Sequence, residues 1–258
     1  MEKRLFNLLT SHPKKSLGQN FLMHARIAER IALSAKLIPD TPVLEIGPGT
    51  GMLTKELLKL AKKVIAVEAD EELFKKLQTD FADEIASGQL ELVHSDIRLF
   101  TISELPKGYA LVANIPYYLT GEIFKMFLTA ENQPSSMTLL VQKEVAERIA
   151  RAKKESILSL SVKAYGMPKY EFTVPHGAFH PAPKVDSAVL TIRDISRSAF
   201  FSGDEEERFF ALIRAGFAHK RKFVRNNLTD AGLPYGAIPE KARAEDLSFS
   251  QWLALARS

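Results

Sequence analysis

A glycine-rich turn directly behind a short apolar run constrains the fold of this chain more than any other feature. Residues 43–51 have the sequence VLEIGPGTG, in which 43–46 predict a buried strand and Gly47, Gly49 and Gly51 predict a turn. Glycine permits a tight turn and lets a ligand approach the backbone closely. The stretch therefore predicts a strand, a turn and a helix, with a ligand beside the turn.

Strand-like and helix-like segments alternate over the first 150 residues. Apolar strand patterns occupy 43–46, 63–68, 90–94, 110–113 and 137–142, and helical patterns occupy 25–38, 52–60, 70–81, 121–129 and 143–152. This alternation favours a doubly wound parallel sheet covered by helices on both faces.

The pattern changes in the second half of the chain. Three runs suggest further β structure, namely SILSLSVKAY at 156–165, YEFTVP at 170–175 and DSAVLTIR at 186–193. Helical patterns dominate from residue 204, and Trp252 is expected in the core of that region. We place a boundary at 196–204, giving one domain with an N-terminal arm over 1–200 and a small helical domain over 201–258.

Composition excludes several classes of protein. The chain of 258 residues has 46% hydrophobic and 26% charged residues, as expected of a globular protein. Without cysteine it can form no disulfide or thiolate metal site, and the histidines show no ligand spacing, so we expect no metal. No apolar run reaches the roughly 18 residues of a membrane helix, and the N-terminus does not resemble a signal peptide. We expect a cytoplasmic protein.

The positive charges are clustered although the net charge is only +4. One cluster is HKRKFVR at 219–225, where Arg221, Lys222 and Arg225 are predicted to share a helical face. The others are Lys14 with Lys15, and the set Arg148, Arg151, Lys153 and Lys154. Together such clusters suggest a phosphate-rich partner, although any one of them alone is more typical of a solvated surface.

The glycine spacing and a neighbouring acid argue against a dinucleotide. The dinucleotide fingerprint is Gly-x-Gly-x-x-Gly, whereas here one residue separates each glycine from the next. Glu45 lies two positions before Gly47, where a carboxylate would repel a pyrophosphate but would suit a cationic ligand. S-adenosylmethionine fits that requirement, because it carries a sulfonium and an amino group and no phosphate.

Two further acids follow predicted strands. Glu68 ends the second strand, where a carboxylate can accept hydrogen bonds from both ribose hydroxyls, and Asp96 follows the third, where it can accept from an adenine amine. Each acid alone is more typical of a helix cap or a surface carboxylate. Because ligands of such sheets bind at the carboxyl ends of the strands, the acids together predict one cofactor crevice.

The motif NIPYY follows the fourth predicted strand. The side-chain oxygen of Asn114 and a carbonyl of Ile115 or Pro116 could accept the hydrogens of an adenine amine, while Tyr117 stacks on the base. Orientation would then supply much of the rate of a direct methyl transfer. A stacked target base must be extruded to reach such a pocket. On its own, the string is also typical of a turn with buried tyrosines.

Taken together, these motifs resemble the ribosomal RNA small-subunit adenine N6,N6-dimethyltransferase family (the KsgA/RsmA family). The resemblance covers nearly the whole chain and runs through LGQNFL (17–22), EIGPGTG, VEAD (67–70), SDI (95–97), NIPYY, FHPAPKVDSAV (179–189) and HKRKFVRNNL (219–228). It implies a class I, Rossmann-like, S-adenosylmethionine-dependent methyltransferase sheet followed by a small C-terminal helical domain that helps to bind RNA.

The resemblance also implies roles for individual residues. The cofactor would be held by the arm, the glycine turn and the strand ends, namely Gln19, Asn20, Leu22, Glu45, Gly47, Gly49, Gly51, Glu68, Asp96, Ile97 and Asn114. Asn114, Pro116 and Tyr117 would form the catalytic acceptor pocket, and Phe179 would be its second aromatic wall. Arg221, Lys222 and Arg225 would bind RNA phosphates. The partner would be the small ribosomal subunit with its 16S rRNA, and we expect a monomer.

Three alternatives remain at the level of sequence. A large-subunit rRNA adenine methylase of the antibiotic-resistance type shares the sheet and the acceptor motif, although LGQNFL and FHPAPKVDSAV favour the small-subunit enzyme. A binding or scaffold protein of the same fold would transfer no methyl group, whereas the intact acids and Asn114 favour retained chemistry. DNA adenine methylation is a weaker third hypothesis.

Overall fold

The computed structural model describes residues 18–38 and 40–258. Its centre is a seven-stranded sheet with the order β4-β3-β2-β5-β6-β9-β7. The strands from β4 to β6 are parallel, and β9 is antiparallel to both β6 and β7. A separate two-stranded sheet joins β1 to β8. The predicted doubly wound α/β architecture is therefore confirmed.

The strands are short and mostly buried. Their bounds are β1 Phe21–Leu22, β2 Val43–Ile46, β3 Val64–Glu68, β4 Leu90–His94, β5 Ala110–Asn114, β6 Ser136–Gln142, β7 Met167–Val174, β8 Phe179–His180 and β9 Ser187–Arg193. Every residue of β2 and β3 is buried. This agrees with the continuous apolar runs that strands covered on both faces require.

The helices alternate with the strands in the first half of the chain and dominate its end. Their bounds are α1 Ala25–Ser34, α2 Met52–Leu57, α3 Glu71–Asp80, α4 Ala82–Ala86, α5 Thr120–Leu128, α6 Lys143–Ala150, α7 Ile157–Lys163, α8 Gly203–Gly216, α9 Val224–Asp230 and α10 Phe249–Arg257. Short 3-10 turns lie at Ile97–Leu99, Ile102–Glu104, Tyr117–Leu119, His176–Ala178 and Ala244–Asp246.

The sheet has an apolar core on each face. Val43 and Val64 pack with α1 and α2 on one face, while Leu44 and Ile65 belong to the cluster on the other face. That second cluster continues into the C-terminal helices, where Trp252 is fully buried, as predicted. Because one core joins the sheet to these helices, the predicted division into two domains stays a prediction.

Most of 156–165 forms the helix α7, Ile157–Lys163, and the prediction of β structure there is wrong. The alternation of apolar residues and serines suggested a period of two, but Ser156 caps α7 instead. Its hydroxyl accepts from the Ser159 N–H at 3.1 Å, and the Ser159 hydroxyl accepts from the Ser156 N–H at 2.7 Å. This reciprocal capping satisfies the first amides of the helix. Burial of Leu160 and Val162 fixes the helix against the core.

Candidate active site at the carboxyl edge of the sheet

A cavity lies at the carboxyl ends of β2, β3 and β5, and the motifs predicted to bind a cofactor converge on it. Of the predicted site residues, its lining contains Gln19, Asn20, Leu22, Glu45, Gly47, Gly49, Glu68, Asp96, Ile97, Asn114, Pro116 and Tyr117. Because parallel strands all end at the same edge of a sheet, residues far apart in sequence meet there. Among the described residues, no cluster of His, Asp and Glu suited to a metal ion occurs.

The glycine turn adopts a backbone that favours glycine at each predicted position. Gly47, Gly49 and Gly51 have φ angles of +63°, +60° and +79°. A Cβ on Gly51 would lie 2.5 Å from the Phe81 ring, so Gly51 is required for packing and does not itself line the cavity. A Cβ on Gly47 would meet no described residue within 4 Å, which leaves space on that side of the turn.

Glu68 ties the glycine turn to the end of β3. Its carboxylate accepts from the Gly49 N–H at 3.0 Å and from the Asp70 N–H at 2.9 Å. Burial raises the pKa of Glu68, and these amide hydrogen bonds oppose the rise. The carboxylate is therefore held in a fixed orientation at the cavity wall, with lone pairs left to accept from ligand hydroxyls.

Glu45 lies deeper, with 1% of its surface exposed. Burial raises the pKa of Glu45 to about 8, and the charge of Glu68 contributes to the rise. Within the described chain, Oε2 of Glu45 has no hydrogen-bond partner. A buried carboxylate with an unpartnered oxygen beside a cavity favours a cationic ligand there.

Asp96 lines the cavity but is already engaged by a neighbour. The Arg98 guanidinium donates to both carboxylate oxygens, and the Arg98 N–H donates to Oδ1 at 2.9 Å. The Arg98 hydrogen bond is the main cause that lowers the pKa of Asp96. Ile97 is buried beside it. An adenine amine would have to share or replace one Arg98 contact.

The arm 18–22 lies against the glycine turn, and its closure over a cofactor stays a prediction. Leu22 pairs with Phe179 and Phe21 with His180 across β1 and β8. The Phe21 ring lies against Gly49, where a Cβ would come within 3.2 Å of it. The Gln19 amide also donates to Asp70 at 3.3 Å. Backbone pairing and an aromatic contact thus hold the arm at the cavity.

The acceptor motif lies at the end of β5, where Asn114 links it to the arm. Its Nδ2 donates to the Asn20 carbonyl at 3.2 Å, which orients the side-chain oxygen as an acceptor. Pro116 precedes the 3-10 turn that carries Tyr117. The Tyr117 ring is partly buried at the cavity, and burial is the main cause that raises the pKa of its hydroxyl.

Ser187 contacts this site, and our sequence interpretation assigned it no role. Its Oγ lies 2.6 Å from the Tyr117 hydroxyl, although the two residues are 70 positions apart. The residue is within FHPAPKVDSAV, so the string drew attention to the segment. However, only the pairing of β9 with β6 brings its hydroxyl to Tyr117.

Phe179 occupies a different place from the other predicted residues. It is 5% exposed and pairs with Leu22, and it is not part of the cavity lining. Its contacts connect the loop before β9 to the arm. The prediction that Phe179 forms a wall for the target base stays a prediction.

The basic residues 219–225 do not share one helical face, so that prediction is wrong. Arg221 and Lys222 lie in the turn before α9, and only Arg225 belongs to the helix. The buried Asn227 side chain donates to the carbonyls of Gly216 at 2.6 Å and His219 at 3.2 Å. These bonds link α9 to the end of α8 and to the turn that follows it.

The cations of this turn differ in their contacts. Lys222 pairs with Asp230 at 3.1 Å, and Arg225 donates to the Ile238 carbonyl at 2.6 Å. Arg221 is exposed and has no ion pair within the described part of the chain. In the second predicted cluster, Arg148 pairs with Glu144 and Lys154 with Glu245. Lys14 and Lys15 lie outside the described residues.

The fold and the cavity together define the class of this protein. A doubly wound sheet with an antiparallel strand inserted next to its edge, and acids at the ends of β2 and β3, is the architecture of class I methyltransferases.

Among the described residues, no helix is both long and apolar enough to cross a membrane.

Comparisons with known sequences define the family. The family model for ribosomal RNA adenine dimethylase matches residues 10–257. A Dehalococcoides mccartyi protein named ribosomal RNA small subunit methyltransferase A is 39% identical over 98% of this chain and 90% of its own length. A protein of the same name from Trichormus variabilis is 36% identical over 95% of this chain and 97% of its own length. The chain belongs to the ribosomal RNA adenine dimethylase family.

Solved structures agree with this assignment. The 23S rRNA methyltransferase ErmE has a TM-score of 0.76 and 28% identity, covering 92% of this chain and 98% of its own. A dimethyladenosine transferase from Plasmodium falciparum also has a TM-score of 0.76, with 26% identity over 91% of this chain and 95% of its own. The chain is therefore an rRNA adenine dimethyltransferase by family and by fold.

Proposed function

We propose that this protein transfers methyl groups from S-adenosylmethionine to N6 of two adjacent adenosines in a hairpin near the 3′ end of small-subunit (16S) rRNA. The products would be dimethyladenosines, formed during small-subunit biogenesis in the cytoplasm by a monomer. The observation that carries the proposal is the orientation of Asn114, whose oxygen is left as an acceptor while its nitrogen is bound by the arm.

The cavity residues fit the proposed cofactor. Glu45 offers a cationic ligand a buried oxygen that has no partner among the described residues, and no described residue fills the space beside Gly47. Glu68 would accept from the ribose hydroxyls, and Asp96 and Ile97 would hold the adenine. When bound, S-adenosylmethionine supplies an activated methyl group.

The residues of the chain would position the acceptor amine. An exocyclic adenine amine is a poor nucleophile, because its lone pair is delocalised into the ring. The Asn114 oxygen and the Ile115 or Pro116 carbonyl would accept its hydrogens, which aligns the nitrogen lone pair with the methyl group. Tyr117 would stack on the extruded base. Holding the amine in this orientation would supply much of the rate.

The RNA would be held outside the cavity by phosphate contacts. The exposed Arg221, with Lys222 and Arg225 beside it, would supply positive charge that does not depend on base identity. Such contacts would set the register of the hairpin, and the acceptor pocket would select the adenosine.

A second candidate is methylation of large-subunit rRNA. It is favoured by the likeness to ErmE, whose TM-score equals that of the dimethyladenosine transferase. Against it stand the relatives named for the small subunit, which match with higher identity. We therefore keep the small-subunit enzyme as the leading proposal.

The test is transfer of a labelled methyl group to undermethylated small subunits, with large subunits as the parallel substrate. We expect label in small-subunit RNA, with nuclease mapping to dimethyladenosine. Label confined to large subunits would support the second candidate. RNA binding without transfer to either substrate would indicate a scaffold protein that has kept its cavity.

A further inference from the structure

The buried hydroxyl of Ser187 is placed to act on Tyr117. Ser187 is the first residue of β9 and is 0% exposed. Its Oγ lies 2.6 Å from the Tyr117 hydroxyl across the end of the sheet. A buried hydroxyl needs a hydrogen-bond partner, and Tyr117 supplies it.

The backbone around Ser187 is fixed on both sides. Ser187 pairs with Gln142 of β6 and with Val174 of β7. The preceding carbonyl, that of Asp186, accepts from the Lys143 N–H at 3.0 Å. The Asp186 carboxylate accepts from the His176 N–H at 2.9 Å and contacts its Nδ1 at 3.0 Å. Ser187 is thus a rigid anchor.

Tyr117 itself stands on a less regular segment. It begins a single 3-10 turn after Pro116, and its ring lies at the cavity. Without a contact at the hydroxyl, the ring could swing about its side-chain bonds. A hydrogen bond from a rigid strand to the far end of the ring removes that freedom before a base arrives.

We propose that Ser187 is a positioning residue for methyl transfer, because its hydroxyl holds the Tyr117 ring in the orientation that stacks the target adenine. The inference rests on the proposed function, in which Tyr117 contacts the base. Ser187 contacts the Tyr117 hydroxyl but does not line the cavity, so it would act only through Tyr117.

The first experiment measures the contact without relying on activity. Protein labelled with ¹³C at Cζ of tyrosine is compared with Ser187→Ala, and the Tyr117 signal is identified by its loss in Tyr117→Phe. We expect the Tyr117 signal to shift in Ser187→Ala and to remain in place in Thr191→Val. The control removes another buried hydroxyl of β9, whose partner is Glu171. An unshifted signal in Ser187→Ala would overturn the proposal.

The second experiment is a double-mutant cycle in steady-state methyl transfer. Ser187→Ala and Tyr117→Phe should each lower kcat about tenfold, with KM for S-adenosylmethionine unchanged, because each breaks the same hydrogen bond. The double variant should be no worse than either single variant, and Ser187→Thr should restore turnover by keeping a hydroxyl. Thr191→Val should match the wild type.

The outcomes separate the inference from the proposed function. Wild-type turnover in Ser187→Ala, or losses that multiply in the double variant, would overturn the role of Ser187. A raised KM for the cofactor together with a lowered melting temperature would instead indicate a general packing role and would also overturn it. If the wild type transfers no methyl group to small subunits, the proposed function fails, while the tyrosine spectrum still reports whether Ser187 holds Tyr117.

Discussion

The carboxyl edge of the sheet and the turn between α8 and α9 both contain charged residues that were predicted to bind a ligand. The two regions differ in how far these side chains are buried and fixed by hydrogen bonds. At the edge, Glu45 and Glu68 are buried, and amides of the glycine turn and of Asp70 fix Glu68. In the turn, Arg221 is exposed, and Lys222 makes a partly exposed ion pair. The first region fixes the positions of its carboxylates, whereas the second presents positive charge to the solvent.

This difference indicates how each region should respond to substitution. Substitution of a buried and hydrogen-bonded group should have a large effect, because neither water nor a neighbouring side chain can replace the lost contact. An exposed cation among other cations contributes little alone, because solvent and salt screen it. The expected effects below decrease from the acceptor pocket to the basic turn.

The largest effect is expected from Asn114→Ala. Removing the acceptor for the amine hydrogens should lower kcat about a hundredfold or more, the size seen when one preorganised group is lost from a reacting centre. The Kd of S-adenosylmethionine should change much less than kcat, because the glycine turn and Glu68 remain and only the Asn20 contact to the arm is lost. Single-turnover transfer and calorimetric binding measure the two quantities. Unchanged turnover would refute the assigned role of Asn114.

Next in size is Glu68→Ala, which should raise the Kd of the cofactor about tenfold to a hundredfold, since hydrogen bonds to a charged group are lost. The Gly49 amide also loses its acceptor, so the turn should loosen. Glu91→Ala is the matched control, because this exposed carboxylate lies on the adjacent strand β4 and pairs with the partly exposed Lys63. Equal cofactor affinity in both variants would contradict the ribose contact.

Glu45 should give a pH dependence of stability. Burial raises the pKa of Glu45 from the ordinary value of 4.5 to about 8, so the folded protein keeps this proton to a higher pH. Between these values the folded state binds more protons than the unfolded state, so the free energy of unfolding should fall as pH rises, and this fall should end above about 8. Denaturant titrations at several pH values measure the free energy of unfolding, which should depend less on pH in Glu45→Gln than in the wild type.

The same group should affect cofactor binding in the opposite direction. A cationic ligand favours the charged carboxylate, so affinity should rise with pH up to about 8 in the wild type and rise less in Glu45→Gln. Parallel pH profiles for the two proteins would show that Glu45 does not face the cationic part of the ligand.

The smallest effects are expected in the basic turn. Replacing Arg221, Lys222 and Arg225 together by glutamine should weaken RNA binding severalfold and reduce the slope of log K against log salt by about 1 to 2, less than three full phosphate contacts would give. Arg221→Gln alone should account for most of the change, because the other two side chains are already engaged. An identical salt slope would mean that another surface binds the RNA.

Much of the fold and of the site follows from local patterns in the sequence. Continuous apolar runs predicted the buried strands, and the acids and Asn114 at their ends predicted the crevice, because parallel strands end at one edge. Glycines in the turn behind β2 were predicted and all have positive φ angles. These features could be predicted because each depends on the pattern of residues within a short segment.

Tertiary structure decided the features that depend on contacts between distant residues. Residues 156–165 have a strand-like alternation, but burial of Leu160 and Val162 in the core, added to the local cap of Ser156, favours the helix at 157–163. Arg221 lies in a turn that the Asn227 side chain links to α9, whereas Arg225 lies within that helix. Ser187 met Tyr117 only because β9 pairs antiparallel with β6. Sequence periodicity reports which face of an element is buried, whereas long-range pairing decides which side chains share a site.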